Sequence, residues 1–492
     1  MSLGAFIKNI QNIMRGDSGV NGDAQRIEQL TWLLFLKIYD KKEEEWELLD
    51  DNYASILPEE CRWANWAVDK KDGKALTGEK LLTFVNEKLF KDLKNLNLPA
   101  DAPLKHHILQ DVFRSTNQYM KDGILLRQLI NAINEIDFEE TKELHAFGDI
   151  YETILKSLQS AGNAGEFYTP RALTDFIVDR VKPKLGERIA DFACGTGGFL
   201  TSSLNYLNKT IDSASDRDLF NNTIYGIEKK PLPHLLCVTN MLLHDIDNPA
   251  IYESNSLERN VRDYREDEKF EVILMNPPYG GKESEIIQHN FPKDLTSSET
   301  ADLFIVLMMY RLKANGRAAV IVPDGFLFGN DNAKIAIKKK LFDEFNVHTI
   351  IRLPASVFAP YTSITTNVIF FDNTGATEKT YFYRMDMPEG YKHFSKTKPI
   401  RFEHFAPCID WWEHKNDIED SETDTFKAKA YTREEIIDRN YNIDLCGYPT
   451  IEEEVLSPEE TIANYKEKRA KLNTKIDTQI LEIEKLLGEK IC

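Results

Sequence analysis

The chain has 492 residues, of which 42% are hydrophobic and 29% charged, and its formal net charge is −19. This length exceeds one ordinary hydrophobic core, so we expect two or three domains. The acidic balance excludes a protein that holds DNA by an overall basic surface, because such a surface must neutralise phosphates. A local basic patch or another subunit would have to supply that attraction.

Hydropathy and cysteine content indicate the compartment. The apolar runs are too short to cross a bilayer, and the first residues do not resemble a secretory signal. Six cysteines are scattered without paired spacing, which favours reduced thiols over a disulfide framework or a zinc site. We therefore expect a cytoplasmic protein.

The sequence of residues 1–145 predicts an all-helical N-terminal domain. A long helix opens at Asp23, and its apolar residues recur at helical spacing. These residues are Ile27, Leu30, Leu34 and Ile38. Two further helices are expected over Leu125–Ile136 and Phe147–Ser160.

Strands and helices then alternate, which predicts a Rossmann-like, doubly wound α/β sheet over residues 146–395. The predicted strands are Arg188–Ala193, Asn222–Ile227, Phe270–Met275, Arg317–Val322 and His348–Arg352. The predicted helices are Leu173–Val181, Phe199–Tyr206, Pro233–Leu243 and Ala301–Leu312. Two more strands, Thr366–Asp372 and Thr380–Met385, are expected to form a hairpin.

The last hundred residues divide into two parts. The sequence of residues 396–456 predicts an acidic, irregular extension. The sequence of residues 457–492 predicts a helix, with Ser457 as its N-terminal cap and Glu460 in its first turn. An apolar stripe runs along this helix. Its residues are Leu472, Ile476, Ile480, Ile483 and Leu487. The stripe packs either in the core or against a partner chain, and the pattern does not decide between them.

A glycine-rich loop follows the first predicted strand, in the stretch "IADFACGTGGFL", residues 189–200. Glycines let a backbone approach a ligand and present N–H groups at the start of the next helix. Many α/β folds carry such a loop, so it is weak evidence alone. Catalysis by Cys194 is disfavoured, because no histidine and aspartate of recognisable spacing accompany it.

Polar residues stand where the second strand ends and where a third strand should end, within "YESNSL", residues 252–257. Glu228 can accept hydrogen bonds from ribose hydroxyls, although it can equally balance Lys229 and Lys230. Asn255 can bind the edge of an adenine, and a simple turn asparagine is nearly as good an interpretation.

The fourth predicted strand, Phe270–Met275, runs directly into Asn276-Pro277-Pro278-Tyr279. Neither proline has an N–H to continue a ladder, so the strand must stop there. This leaves the asparagine and the tyrosine on a stiff turn at the carboxyl end of a buried strand, where open α/β sheets bind ligands. The alternative is a rigid turn without chemistry.

In this order the glycine-rich loop, the acidic strand end and Asn-Pro-Pro-Tyr resemble an amino-methyltransferase that uses S-adenosylmethionine. The upstream run "EFYTPR", residues 166–171, and "DFACGTGGF", residues 191–199, resemble the modification (M) subunit of type I restriction-modification systems. The resemblance covers nearly the whole chain, including the helical N-terminal block and the terminal helix. One departure is Phe192, where the family usually has proline.

The resemblance assigns roles to two sets of residues. Those implied to bind S-adenosylmethionine are Glu166, Phe167, Tyr168, Thr169, Pro170, Arg171, Asp191, Gly195, Thr196, Gly197, Gly198, Glu228 and Asn255. Those implied to be catalytic are Asn276, Pro277, Pro278 and Tyr279. The Asn276 side-chain oxygen and the Pro277 carbonyl would accept the two N6 hydrogens of adenine, and Tyr279 would stack on the flipped base. No metal is indicated.

The resemblance also implies partners: DNA within a complex, a specificity subunit, a second copy of this chain and a restriction subunit. Three alternatives remain. A self-sufficient DNA methyltransferase is disfavoured by the short acidic tail. A non-catalytic assembly subunit is disfavoured by the intact Asn-Pro-Pro-Tyr, and a protein-glutamine methyltransferase by the motif at residues 166–171. The DNA sequence that is methylated cannot be derived from this chain.

Overall fold

A computed structural model describes most of the chain. The described residues are 3–70, 74–135, 151, 168–420, 426–445, 447 and single helical residues or pairs between 462 and 480. The chain divides into two compact units. One contains Met1–Asp420 and Asp424–Gly447, and the other contains Ser421–Thr423 and Tyr448–Cys492. Among the described helices, none is both long and apolar enough to cross a membrane.

The N-terminal region is helical throughout its described part, as predicted. Its α-helices are Leu3–Arg15, Gly22–Leu49, Trp63–Trp66, Gly78–Thr83, Phe90–Lys94, Leu104–Ser115 and Gly123–Asn134, with a π-helical turn at Phe84–Leu89 and a 3-10 turn at Glu59–Cys61. The long helix buries an aromatic row that includes Trp32, Phe35 and Tyr39, and Trp32 meets Phe90 edge-on at 5.0 Å between ring centroids. Of the predicted helix Phe147–Ser160, only Tyr151 lies within the described residues, and it is helical and buried.

The remaining part of the first unit contains a ten-stranded sheet with the order β3-β2-β1-β4-β5-β7-β6-β8-β10-β9. The strands are β1 Ile189–Asp191, β2 Ile224–Glu228, β3 Ala250–Glu253, β4 Phe270–Met275, β5 Leu312–Pro323, β6 Asn346–Arg352, β7 Thr366–Asp372, β8 Lys379–Arg384, β9 Ile418–Glu419 and β10 Phe426–Thr432. The first five strands in chain order pair in parallel. The predicted doubly wound α/β sheet is confirmed.

Helices connect these strands and cover the sheet. They are Arg171–Val181, Gly198–Leu207, Ala214–Asn221, Pro231–Leu243, Glu285–Gln288, Thr300–Arg311, Asp324–Phe328 and Asn332–Glu344. Alternate side chains of β4 enter different cores: Val272 and Leu274 pack in one, and Ile273 and Met275 in the other. The sheet is therefore buried on both faces, which is why β4 is a continuous apolar run rather than an alternating one.

The predicted hairpin between the strands at 366–372 and 380–385 is wrong. Both strands exist, but β7 lies antiparallel between β5 and β6, while β8 pairs in parallel with the other side of β6. The connection after β7 crosses the start of β6 instead of turning back. Thr377 anchors it there, because its hydroxyl accepts the Val347 N–H at 2.8 Å and donates to the Phe345 carbonyl at 2.7 Å.

The stretch after residue 395 was predicted to be irregular, and its described part contains regular elements. These are a 3-10 turn at Phe402–Phe405, the helices Ala406–His414 and Arg433–Asp438, and the strands β9 and β10. β10 pairs antiparallel with β8 and so extends the sheet. Phe405 stacks on Phe176 at 4.3 Å between ring centroids, which joins this stretch to the helix Arg171–Val181. The elements are short, so their periodicity is weak.

We expect Phe405→Ala to lower the free energy of unfolding by about 3–5 kcal/mol, because it leaves a cavity against a fully buried ring. Phe402→Ala is the matched control: this ring is 40% exposed, and its removal should change stability by about 0.5 kcal/mol or less. Urea titration of both variants measures the difference. Equal effects would show that the stretch after residue 395 is not part of the core.

Candidate active site

A cleft opens where the carboxyl ends of β1, β2, β3 and β4 meet at one edge of the sheet. The open space in the cleft, together with the solvent at its mouth, is about 1140 Å³. The residues from the sequence prediction that line it are Tyr168, Thr169, Asp191, Gly195, Gly198, Glu228, Asn255, Asn276, Pro277, Pro278 and Tyr279. Parallel strands bring these separate motifs to one place because their carboxyl ends share an edge.

The glycine-rich loop turns sharply after β1 and is packed from behind. Gly197 has a φ of +81°, and a Cβ added there would come within 2.9 Å of the Cys237 sulfur. Asn240 donates its amide to the Thr196 carbonyl at 3.3 Å. Thr196 and Gly197 do not line the cleft; they hold the loop against the helix after β2, so the required glycine here is a matter of packing as well as conformation.

Two carboxyl groups line the start of the cleft, each at the end of one of two neighbouring parallel strands, β1 and β2. Asp191 accepts the Ala193 N–H at 3.0 Å, and Glu228 accepts the N–H groups of Gly195 at 3.0 Å and Lys230 at 2.8 Å. Burial, together with the Glu228 charge, raises the pKa of Asp191 to about 8. Burial also raises the pKa of Glu228, against the lowering effect of its backbone N–H donors. The pair is therefore poised to accept a cationic or hydroxyl-bearing ligand.

Asn255 both lines the cleft and forms a turn. Its side-chain oxygen accepts the Leu257 N–H at 3.2 Å, which is the turn interpretation made from the sequence. The neighbouring Ser256 donates to the Phe192 carbonyl at 2.6 Å and ties this turn to the glycine-rich loop. The Asn255 oxygen is thus partly committed, and its amide nitrogen is the group left to address a ligand.

The Asn-Pro-Pro-Tyr turn is held by hydrogen bonds of its own side chains. Asn276 donates its amide to the Thr169 hydroxyl at 3.0 Å, and its oxygen accepts a hydrogen bond from the Tyr279 hydroxyl. Burial raises the pKa of Tyr279 well above its usual value, so this phenol stays protonated and remains a donor. Pro277 is buried and Pro278 is exposed. The upstream threonine and the turn therefore form one unit, although 107 residues separate them.

Some predicted site residues lie elsewhere. Pro170 precedes the helix Arg171–Val181 and does not line the cleft, and neither does Arg171. The Arg171 guanidinium lies 5.4 Å from the Tyr168 ring and comes so near Gly198 that a Cβ there would meet it at 2.6 Å. Arg171 thus supports the cleft wall from outside. Glu166 and Phe167 lie outside the described residues.

Part of the cleft wall consists of residues that the sequence did not predict. The additional lining residues are Phe192, Ala193, Cys194, Phe199, Lys229, Lys230, Ser254, Ser256, Glu283, Thr300, Phe304, Phe358, Tyr361 and Thr362. Phe358 meets Tyr279 edge-on at 6.5 Å between ring centroids. Phe358 belongs to the segment that follows β6. The carboxyl end of β6 was predicted to lie at this edge of the sheet, which is the signal that could have identified Phe358. Cys194 is buried, and its contact with the Cys237 thiol raises its pKa, which makes it a poor nucleophile.

Two families match this chain. The N-6 DNA Methylase family matches residues 142–455, and the HsdM N-terminal domain matches residues 3–133. The chain is 48% identical over 474 residues to the type I restriction enzyme EcoEI methylase subunit of Escherichia coli, covering 96% of each protein.

Solved structures agree with these matches. A modification subunit of a putative type I restriction enzyme from Vibrio vulnificus has 37% identity and a TM-score of 0.76, covering 88% of this chain and 92% of its own. A chain from a study of complex assembly in a type I restriction-modification system has 33% identity and a TM-score of 0.80, covering 99% and 98%. The family match spans more than half of this sequence and includes every element of the cleft. The chain therefore belongs to the methylase subunits of type I restriction-modification systems, which are adenine-specific N6 DNA methyltransferases.

Proposed function

We propose that the cleft binds S-adenosylmethionine along the ends of β1, β2 and β3. Members of this family use that cofactor, and it supplies a sulfonium methyl group. Glu228 would accept the ribose hydroxyls, and Asn255 would bind the adenine edge through its amide nitrogen, because its oxygen already accepts the Leu257 N–H. Asp191 would face the cationic end, and Gly195 and Gly198 allow close approach. Tyr168 and Thr169 would close the methionine end.

We propose that the target adenine enters beside the Asn-Pro-Pro-Tyr turn. The N6 amine is a poor nucleophile, because its lone pair is delocalised into the ring. The Asn276 side-chain oxygen and the Pro277 carbonyl would accept hydrogen bonds from its two N–H groups, which would orient the lone pair toward the methyl group. Tyr279, with the edge of Phe358 beside it, would stack on the flipped base.

Entry of the base requires one exchange of hydrogen bonds. The Asn276 oxygen accepts from the Tyr279 hydroxyl, so this acceptor is already engaged. The amine would replace the hydroxyl, while the bond from the Asn276 amide to Thr169 keeps the asparagine oriented. The hydrogen bond from Asn276 to Thr169 is the main observation behind this proposal. It orients the Asn276 amide so that its oxygen, and not its nitrogen, is available to the base.

Asn276→Ala should lower methyl transfer by about 10²–10³-fold, the usual effect of losing one transition-state partner. Cofactor binding should survive, because the side chain lies on the base side of the cleft. Radiolabelled methyl transfer to DNA and titration calorimetry with S-adenosylmethionine measure the two effects separately. Asn276→Asp keeps an acceptor oxygen and should retain more activity. Loss of cofactor binding in a folded Asn276→Ala protein would contradict the proposed role.

The raised pKa of Asp191 predicts pH-dependent cofactor binding. Below pH 8 the carboxyl is mainly protonated, and a cationic ligand favours its ionised form. Affinity for S-adenosylmethionine should therefore rise as the pH increases, by up to about tenfold per unit, and level off above pH 8. Calorimetry between pH 6 and 9 measures this slope. Asp191→Asn should remove it, and a slope that persists would assign the titration to Glu228 or to the ligand.

We propose that this chain takes its DNA specificity from a separate subunit, in an assembly with a second copy and a restriction subunit, in the cytoplasm. The terminal helix would form the contact surface for these partner chains, which we call the seam. Among its described residues, Ile462, Tyr465, Ile476 and Ile480 are exposed by 47–64%. All four fall on one side of a helix, given 3.6 residues per turn. Leu472, Ile483 and Leu487 lie outside the described residues.

The seam is tested by placing charge on this helix face. Ile476→Asp with Ile480→Asp should prevent co-purification with the specificity subunit while cofactor binding survives, because both side chains are exposed in this chain. Ala470→Asp with Thr474→Asp is the matched control, since it adds the same charge about 80–160° around the helix from Ile476 and Ile480. Equal loss of assembly in both variants would place the seam elsewhere.

The proposed functional parts follow from these roles. In this proposal residues 1–145 would be the helical domain, 146–395 would carry the cofactor and base sites, and 457–492 would be the assembly helix. Because β10 pairs with β8, we assign residues 396–420 and 424–447 to the methyltransferase domain rather than to a separate extension. A self-sufficient methyltransferase would instead methylate one DNA sequence at full rate without a partner.

A further inference from the structure

This acidic chain contains a basic segment that its net charge conceals. Residues 390–401, "GYKHFSKTKPIR", carry four lysines and arginines and no aspartate or glutamate, whereas the whole chain has a net charge of −19. Lys392, Lys398 and Arg401 are exposed. Among the described residues, no carboxylate lies within ion-pair distance of any of these three. They therefore form a patch of positive potential on a negative molecule.

The fold places this segment at the same edge of the sheet as the cleft. β6 and β5 are each antiparallel to β7, so they run in the same direction as each other, and β8 is parallel to β6. The carboxyl end of β8 thus shares an edge with the carboxyl ends of β4 and β5. The basic segment begins six residues after Arg384, the last residue of β8.

Direct contacts fix the segment beside the wall of the cleft. The Phe394 N–H donates to the Ser356 hydroxyl at 2.9 Å, and Ser356 precedes the cleft residue Phe358 by two positions. The Phe394 ring is buried and packs on His404 at 5.6 Å between ring centroids. On its other side, Lys396 borders a groove that the helices Leu3–Arg15 and Gly22–Leu49 form. The segment is therefore anchored by its middle, with its cations facing outward.

We propose that residues 390–401 bind the phosphate backbone of the duplex that carries the target adenine. A base that enters the cleft remains attached to its strand, so the flanking phosphates must pass the mouth of the cleft. Exposed cations fixed beside that mouth would position the backbone without reading its sequence. This inference rests on the DNA methyltransferase function and adds the surface that holds the substrate. It also explains how an acidic chain contacts DNA.

The test uses the full-length chain and a 30-base-pair duplex labelled with a fluorophore. Lys392→Gln, Lys398→Gln and Arg401→Gln are combined in one variant. The matched control combines Lys184→Gln, Lys209→Gln and Arg217→Gln, which are exposed and precede the amino ends of β1 and β2 at the opposite edge. Both variants change the net charge equally. Fluorescence anisotropy over a range of salt concentrations gives the affinity and its salt dependence.

The first variant should bind the duplex at least tenfold more weakly at low salt. Its slope of log affinity against log salt should be shallower by about 2–3, because each lost phosphate contact contributes about 0.9. The control should keep the wild-type affinity and slope, and both should bind S-adenosylmethionine normally.

Equal effects in the two variants, or a wild-type chain that does not bind duplex at low salt, would overturn the proposal. Unchanged DNA binding with lost assembly would assign the segment to a protein partner and would also overturn it. The proposed catalytic roles are judged independently, by the Asn276→Ala comparison.

Discussion

The parallel alignment of β1, β2 and β4 is the constraint on which the site depends. Each strand ends in a different polar group, and these groups are up to 107 residues from their hydrogen-bond partners in sequence. Parallel pairing alone brings the ends to a common edge, and burial of the sheet on both faces keeps the strands in register. A shift of β4 by one residue would turn Asn276 away from Thr169 and exchange the side chains between the two cores.

Backbone N–H groups influence the pKa values of the two carboxyl groups at these strand ends. Glu228 accepts two N–H groups from loops that follow β1 and β2, so one carboxylate ties both loops together. Asp191 has a single such donor and a negative neighbour, so burial and the Glu228 charge together raise its pKa with little to oppose them. Burial of a carboxyl group is costly, and such a cost is tolerated where a ligand supplies an opposing charge.

The sequence predicted the core of this arrangement and missed its borders. Short apolar runs that end in Asp191, Glu228 and Asn276 have a strong local pattern, so their strands and their common edge were foreseeable. The position of β8 could not be foreseen. The chain reaches it by crossing β6, and this crossing depends on hydrogen bonds between Thr377 and residues about thirty positions earlier. Phe358 was missed for a related reason: it lies in an irregular segment with no periodicity. Thr196 and Gly197 were assigned to the ligand, whereas their closest neighbours belong to the helix after β2.

Charge distribution connects the site to the assembly. A net charge of −19 repels DNA at long range, so a chain of this kind gains little by searching DNA alone. A small basic segment acts only at short range, since salt screens charges beyond about 8–10 Å. The two properties together suit the proposed arrangement, in which a partner subunit would bring the enzyme to its target base and the basic segment would then bind the adjacent phosphate backbone. In the proposed assembly, weak intrinsic attraction would also limit methylation at unselected sites, and the acidic surface would then contribute to specificity although it reads no base.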